Sequence, residues 1–396
     1  MLGADAGAPD CAHGDKRTAL VLSFSDLATD PRVSRQLSVL HPRFEVTAAG
    51  FRCPDTPGLR CSPVPRRHWS PAARAYAALL LKARRYERAY WSSACVQGAQ
   101  DVLRRGRYDL IVANDIWTLP VALKLKGNAR VLFDAHEYAP LEFEESWKWR
   151  FFLQGFNDYL CRRYVPLADA ATTVCDGIAR EYQRTTGTRM TVVHNSTAYQ
   201  DLRPTVAAEG APIRLVHHGA AIPSRQLEAM IEAMRRVGEG YTLDFVLVPS
   251  VPRYAEKLKS LAAGDARIRF LPPVPMHELP RFLNAYDVGI YLLPPNNFNN
   301  RHSLPNKFFE FVQARLAIAV GPSPEMAALV TRYGLGVVSD DFSPASFARV
   351  ISGLDRRRVA GYKAAVDAAA RNLSFEHAGE IFARLVDRTL SLPCAA

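Results

Sequence analysis

Short apolar runs rich in β-branched and aromatic residues alternate with stretches of helical periodicity along the whole chain. In the first half such runs occupy residues 18–24, 44–51, 108–115, 130–137, 170–175 and 190–196. In the second half they occupy 213–219, 241–250, 268–274, 288–295, 316–321 and 336–340. Near-continuous apolar strands separated by helices predict parallel sheets covered on both faces. Two such sets, divided by the polar stretch 197–212, predict an α/β protein of two doubly wound domains. Ligands in that architecture sit at the carboxyl ends of strands, and so here in a cleft between the halves. Residues 1–17 read as a loose leader, 18–200 as the first domain and 201–372 as the second.

Two segments carry a less ordinary pattern. Residues 71–91 project as one amphipathic helix, with Arg74, Lys82, Arg84, Arg85 and Arg88 on one side. Tyr76, Leu79, Leu80, Tyr86, Tyr90 and Trp91 gather on the other, and Arg60, Arg66, Arg67, His68 and Trp69 lie upstream. This is either an interfacial helix lying on an anionic membrane surface or a packed helix with a solvated basic face. In "RHSLPNKFFEF" (301–311), Ser303 suits a helix cap and Pro305 a first helical turn. Phe308, Val312 and Leu316 then form a buried stripe, and Asn306, Lys307, Glu310 and Ala314 a polar or small one. Alone, the segment reads as a half-buried helix with a surface Lys307/Glu310 pair.

Composition narrows the function classes. A chain of 396 residues exceeds one core's comfortable size, and 48% hydrophobic with 22% charged residues describes a soluble globular protein. No apolar run is long enough to cross a bilayer, and the first 17 residues lack the pattern of a signal peptide. The seven cysteines are scattered without a C-x-x-C, which predicts neither a disulfide framework nor a zinc site and fits a reducing cytoplasm. The net charge of +11 calls for an anionic partner: nucleic acid, membrane surface or phosphorylated substrate. No nucleic-acid-binding signature is present, so no nucleic-acid partner is expected.

Four stretches of the second half place candidate chemistry at strand ends. In "HHGAAIPSRQLEAMIEAM" (217–234) a strand ends at Gly219 and a helix opens near Ser224, setting Arg225 in a first turn that attracts phosphate. In 270–295, Val274 and Leu279 either hold a flat base or are plain core. The third stretch is 301–311 and the fourth is "GPSPEMAALV" (321–330). In this order and spacing they resemble the carboxy-terminal half of GT-B glycosyltransferases of the family 4 group, retaining enzymes that use nucleotide-sugar donors. "SLPNKFFEFVQARLAIAVGPSPEMAALVTRYGLGVV" (303–338) is similar to that group's donor-site signature. In the first half "DPRVSRQLSVL", "YDLIVANDIWTLPVALKLK", "VLFDAHEYAP" and "VVHNS" look like blocks of one branch of the family. Residues 373–396 contain a stretch that resembles the closing helix crossing back over the first domain.

The resemblance implies roles. Leu304, Pro305 and Asn306 would present backbone groups to a diphosphate, Lys307 would add a charge, and Glu310 would accept hydrogen bonds from the ribose. His136 matches a histidine at the donor sugar or its leaving oxygen, and Asp115 and Glu137 are candidates for acceptor contacts. Two departures stand out: His302 occupies the place of the motif's first Glu, which contacts the donor sugar, and Ala220 that of an Arg, leaving Arg225 as the main phosphate cation. The usual glycine-rich loop after the first strand is here "SFSDLATDPRV". No D-x-D occurs, so no metal and no cofactor are expected. Adjacent His217 and His218 point to opposite strand faces and are not expected to share a metal. The implied activity is sugar transfer to a glycan or lipid-linked acceptor in bacterial surface polysaccharide synthesis (capsule, exopolysaccharide or O-antigen) at the inner face of the cytoplasmic membrane. A nucleotide-sugar epimerase and a non-catalytic nucleotide-sugar-binding subunit remain as alternatives.

Overall fold

The computed structural model describes residues 16–66, 70–206, 208 and 210–393; most of the leader, and the basic positions Arg67 and His68 with Trp69, lie outside them. The first half forms a parallel sheet of β1 (Thr18–Leu22), β2 (Glu45–Gly50), β3 (Arg60–Pro63), β4 (Leu110–Asn114), β5 (Arg130–Ala135), β6 (Ala170–Thr173) and β7 (Thr191–Val192). Their spatial order is β3-β2-β1-β4-β5-β6-β7. The second half repeats the plan with β8 (Ile213–Ala220), β9 (Tyr241–Val248), β10 (Ile268–Leu271), β11 (Val288–Tyr291), β12 (Ala317–Val320) and β13 (Gly336–Val338), ordered β10-β9-β8-β11-β12-β13. This is the GT-B architecture that the apolar runs and the resemblance lead one to expect.

Each sheet reverses its winding once, between β1 and β4 and between β8 and β11, and there the adjacent loops part to leave a crevice. Central strands are buried on both faces, which is why they read as unbroken apolar runs. One core cluster runs from Leu20 and Phe133 through Ile178 to Leu304 and Phe308, so the two halves share an apolar floor. The closing helix Phe375–Leu390 is capped by Ser374 and lays Phe382, Leu385 and Val386 against Val33 and Leu37 of the helix Pro31–Leu40 in the first half.

Three expectations need correcting. Strand β3 carries no apolar run; it is an exposed edge, held by pairing with β2 and by a disulfide between Cys53 and Cys61, which the scattered cysteine pattern does not predict. Residues 71–91 are not one helix: Pro71–Lys82 ends at Ala83, Arg84 takes φ +53°, and a second helix runs Tyr86–Trp91. The aromatic side of the second piece is core rather than a membrane-facing stripe. Tyr90 is fully buried with its hydroxyl donating to the Trp117 carbonyl at 2.7 Å, and Tyr86 packs on Phe156 and Tyr159. Among the described residues no helix is long and apolar enough to cross a membrane.

Candidate active site

The crevice of the second sheet is built by β8, β11 and the helix Asn306–Gln313. Gly219, the last residue but one of β8, has φ +114°, where a side chain would be strained and would also meet the Lys307 side chain at 3.4 Å. Pro305, not Ser303, caps the helix, and every residue from Lys307 to Gln313 is buried. A surface Lys307/Glu310 pair is therefore excluded. Instead Lys307 Nζ lies 3.1 Å from His217 Nε2 and 4.1 Å from the centre of the Tyr291 ring. His217 Nδ1 sits 3.0 Å from the Ile290 carbonyl oxygen; donating there, it leaves Nε2 to accept from the lysine. Burial, and then the Arg225 guanidinium, hold the Lys307 ammonium well below its ordinary range.

Arg225 stands in a single 3-10 turn, Pro223–Arg225, ahead of the helix Glu228–Met234 rather than inside its first turn. Its guanidinium donates to the Ala220 carbonyl at 3.0 Å. Neither Arg225 nor Lys307 makes an ion pair among the described residues. Two further polar atoms are buried without a partner: Asn306 Oδ1 and His218 Nε2. The latter lies 3.3 Å from Glu310 Oε2 without making a hydrogen bond. Burial pushes Glu310 up to about 7 and pulls His218 down to about 3. Together with Gly219, Leu304 and Pro305, these residues line an open cavity of about 530 Å³. The two residues considered for the base do not line it. Leu279 starts a short helix buried in the core and Val274 is half-buried against the same core, while exposed Met276 reaches the cavity.

The opposite wall comes from the first half. His136 and Glu137 follow β5, and Asp115 follows β4 with φ +64°, a left-handed backbone at a non-glycine residue. Asp115 Oδ1 accepts the His136 N–H at 3.2 Å, and the Asn195 amide lies 3.4 Å from His136 Nε2. The His136 ring is open to the cleft yet surrounded by protein, and this enclosure, with the Arg32 cation, lowers it to about 4. Burial raises Glu137 to about 7, reinforced by Glu142 and Asp115. His136 and Glu137 line both the cleft and a second cavity of about 550 Å³; Asp115 lines only the latter.

His302 is in the cleft lining, but it is also a clamp between the halves. Its Nδ1 lies 2.9 Å from Glu325 Oε1, which accepts the Gly177 N–H of the first half at 3.0 Å, and the Cys175 thiol lies 3.2 Å from the His302 carbonyl. Sequence reasoning did not single out Glu325, Glu142 or Arg35, whose side chain bonds Asn195 and bears on Glu310. Each lies in or beside a stretch that carried the resemblance, yet its partner sits in a distant segment that spacing does not reveal. Among the described residues no group of three or more His, Cys, Asp or Glu is placed to hold a metal ion.

The comparisons agree with this fold. Residues 39–198 match the model of Glycosyltransferase Family 4. No curated protein matches the sequence. Among solved structures, HepE from Anabaena, crystallised with UDP and glucose, is 14% identical and superposes with a TM-score of 0.62 over 95% of this chain and 100% of its own. Sucrose-phosphate synthase from Thermosynechococcus elongatus is 13% identical, with a TM-score of 0.71 over 94% of this chain and 98% of its own. WaaG, a glycosyltransferase involved in lipopolysaccharide biosynthesis, is 13% identical, with a TM-score of 0.60 over 93% and 99%. Residues 39–198 thus carry the likeness to Glycosyltransferase Family 4, and the chain as a whole has the GT-B fold of these structures.

Proposed function

We propose that the enzyme transfers a sugar, with retention, from a nucleotide-sugar donor whose diphosphate is seated at the carboxyl end of β8. One observation carries this reading: two basic side chains, buried Lys307 and Arg225 beside it, face the cleft without an ion-pair partner among the described residues, next to the orphaned Asn306 Oδ1. A buried uncompensated cation is costly, and a dianionic ligand removes that cost. HepE has been crystallised with UDP-glucose, which supports a donor of this class.

Cleavage of the glycosyl–phosphate bond leaves negative charge on the departing diphosphate and positive charge on the sugar ring. Lys307, steadied by His217 and the Tyr291 face, and Arg225 stabilise the former. In this reading Glu310 accepts from the ribose and His136 meets the reacting sugar from the facing wall, a reading supported by both lining the cleft. Charge compensation rests on these fixed cations, and we propose turnover without a bound metal. A thermal-shift screen of UDP-, GDP-, ADP- and dTDP-sugars tests the reading: one base stabilises the protein by mass action, and Arg225→Gln abolishes the shift. No stabilisation by any of them contradicts it.

The acceptor is a glycan, lipid-linked, in bacterial surface polysaccharide synthesis on the cytoplasmic side of the membrane; WaaG's part in lipopolysaccharide biosynthesis supports that setting. Docking uses a different face from Tyr86, Tyr90 and Trp91. The helix Pro71–Lys82 packs on Arg150–Gln154, and the two segments with their neighbours expose Leu79 (62%), Trp147 (65%) and Phe151 (60%) among exposed Lys82, Lys148 and Arg150. Apolar anchors ringed by cations suit an anionic lipid surface. Trp147→Ala with Phe151→Ala lowers partitioning onto phosphatidylglycerol vesicles; unchanged partitioning contradicts docking through this face.

A further inference from the structure

The second cavity lies at the winding reversal of the first sheet, where β1 and β4 diverge. Its floor is Ser23 and Ser25 after β1 and Asn114 and Asp115 at the end of β4; Phe24 and Trp117 supply aromatic surface. It meets the donor cleft at His136 and Glu137, which belong to both. A group held there would therefore be the neighbour of a ligand held in the cleft.

Its chemistry is the reverse of the cleft's. Three carboxyl groups, Asp115, Glu137 and Glu142, line it, and its lining contains no Lys or Arg. The Arg32 guanidinium that bears on Asp115 and Glu137 is committed to an ion pair with Asp134. Hydroxyls of Ser23, Ser25, Ser93 and Thr118 complete the polar lining. Carboxyls and hydroxyls beside aromatic surface match the alternating hydroxyl and C–H faces of a sugar ring. An anionic group would have no counter-ion there and would face three like charges.

On the side of the cleft where the resemblance already expects an acceptor, we propose that this cavity takes only a saccharide ring bearing no anionic substituent, rejecting uronic acids and phosphorylated sugars by charge. This rests on the donor reading only for the identity of the neighbouring cleft. Any phosphate of a lipid-linked acceptor then lies outside the cavity, towards the exposed basic face. Burial, with the neighbouring Asp115 carboxylate, holds Glu137 and Glu142 up to about 7, so both are ionised and rejection is fullest above that pH.

The test is calorimetric binding at pH 8 to the full chain saturated with whichever of UDP, GDP, ADP or dTDP it binds, using matched panels of methyl hexosides and methyl hexuronides. At least one neutral glycoside is expected to bind roughly tenfold or more tighter than its uronide, the scale of an unrelieved like-charge contact. In Glu142→Gln the gap narrows, through stronger binding of the uronide. Equal or tighter uronide binding overturns the proposal, as does a gap unchanged in folded Glu142→Gln. If no saccharide binds while a nucleoside diphosphate does, this proposal falls and the donor reading stands. If a neutral glycoside binds with the predicted preference while no nucleoside diphosphate does, the donor reading falls and this one stands.

Discussion

The two halves have the same strand order and the same place for a crevice, yet the two crevices have opposite chemistry. At the β8/β11 reversal the lining carries Lys307 and Arg225 with Glu310 and the shared Glu137 as acids; at the β1/β4 reversal it carries Asp115, Glu137 and Glu142 and no Lys or Arg. Backbone topology therefore determines where a ligand sits, and a few strand-end residues determine which ligand. The chain's excess of positive charge marks only one of the two sites, because the acidic one is invisible in a total of +11.

Removing the buried cation breaks the contrast most severely. Lys307→Met keeps the volume and deletes the charge, and it is expected to weaken nucleoside-diphosphate binding by about 3–4 kcal/mol, measured by calorimetry, since the lost contact is a buried charge pair. Saccharide binding at the first-half cavity should be unaffected. The next test strikes the contact that couples the halves. A β-carbon at Gly177 would come within 1.9 Å of His302 Nδ1 and 2.4 Å of Glu325 Oε1. Gly177→Ala is thus expected to cost about 1–3 kcal/mol in thermal denaturation, the range for overpacking. His302→Ala in the same chain relieves it in part.

The third concerns pH. Glu142 is raised from 4.5 to about 7 in the folded protein, so the folded state holds its proton more tightly than the unfolded chain does. Its contribution is fully present below about 4.5 and is lost as pH rises through about 7. Glu142→Gln should therefore gain stability relative to the parent as pH goes from 5 to 8, by about 1 kcal/mol after allowance for its partial exposure. A difference that does not change with pH would mean that its carboxyl is not held up by the acidic cavity.

Much of the architecture is legible because doubly covered strands must be apolar: twelve of the thirteen strands lie on apolar runs, including the half-buried β7, β10 and β13. β3 does not, because an exposed edge needs no apolar run. The break at Arg84 was hidden because a left-handed arginine leaves no mark in helical periodicity, and the stripe it interrupts is core on one side and solvent on the other. In the site, the grouping of Gly219, Arg225, Leu304, Pro305, Asn306, Lys307 and Glu310 around one cavity could be read from motif order. What Lys307 touches could not, since His217 lies 90 positions away. Val274 and Leu279 do not line the cavity, for the ordinary reason that an apolar residue beside a strand end is drawn to the core first.

The most direct test is calorimetric titration of the selected nucleoside diphosphate, and of its unphosphorylated nucleoside, into the parent chain and into folded Arg225→Gln. The expected result is a parent that strongly prefers the diphosphate, a variant that loses most of that preference, and nucleoside binding that stays the same in both. A variant that keeps the full preference for the diphosphate would show that the carboxyl end of β8 does not seat a phosphate group.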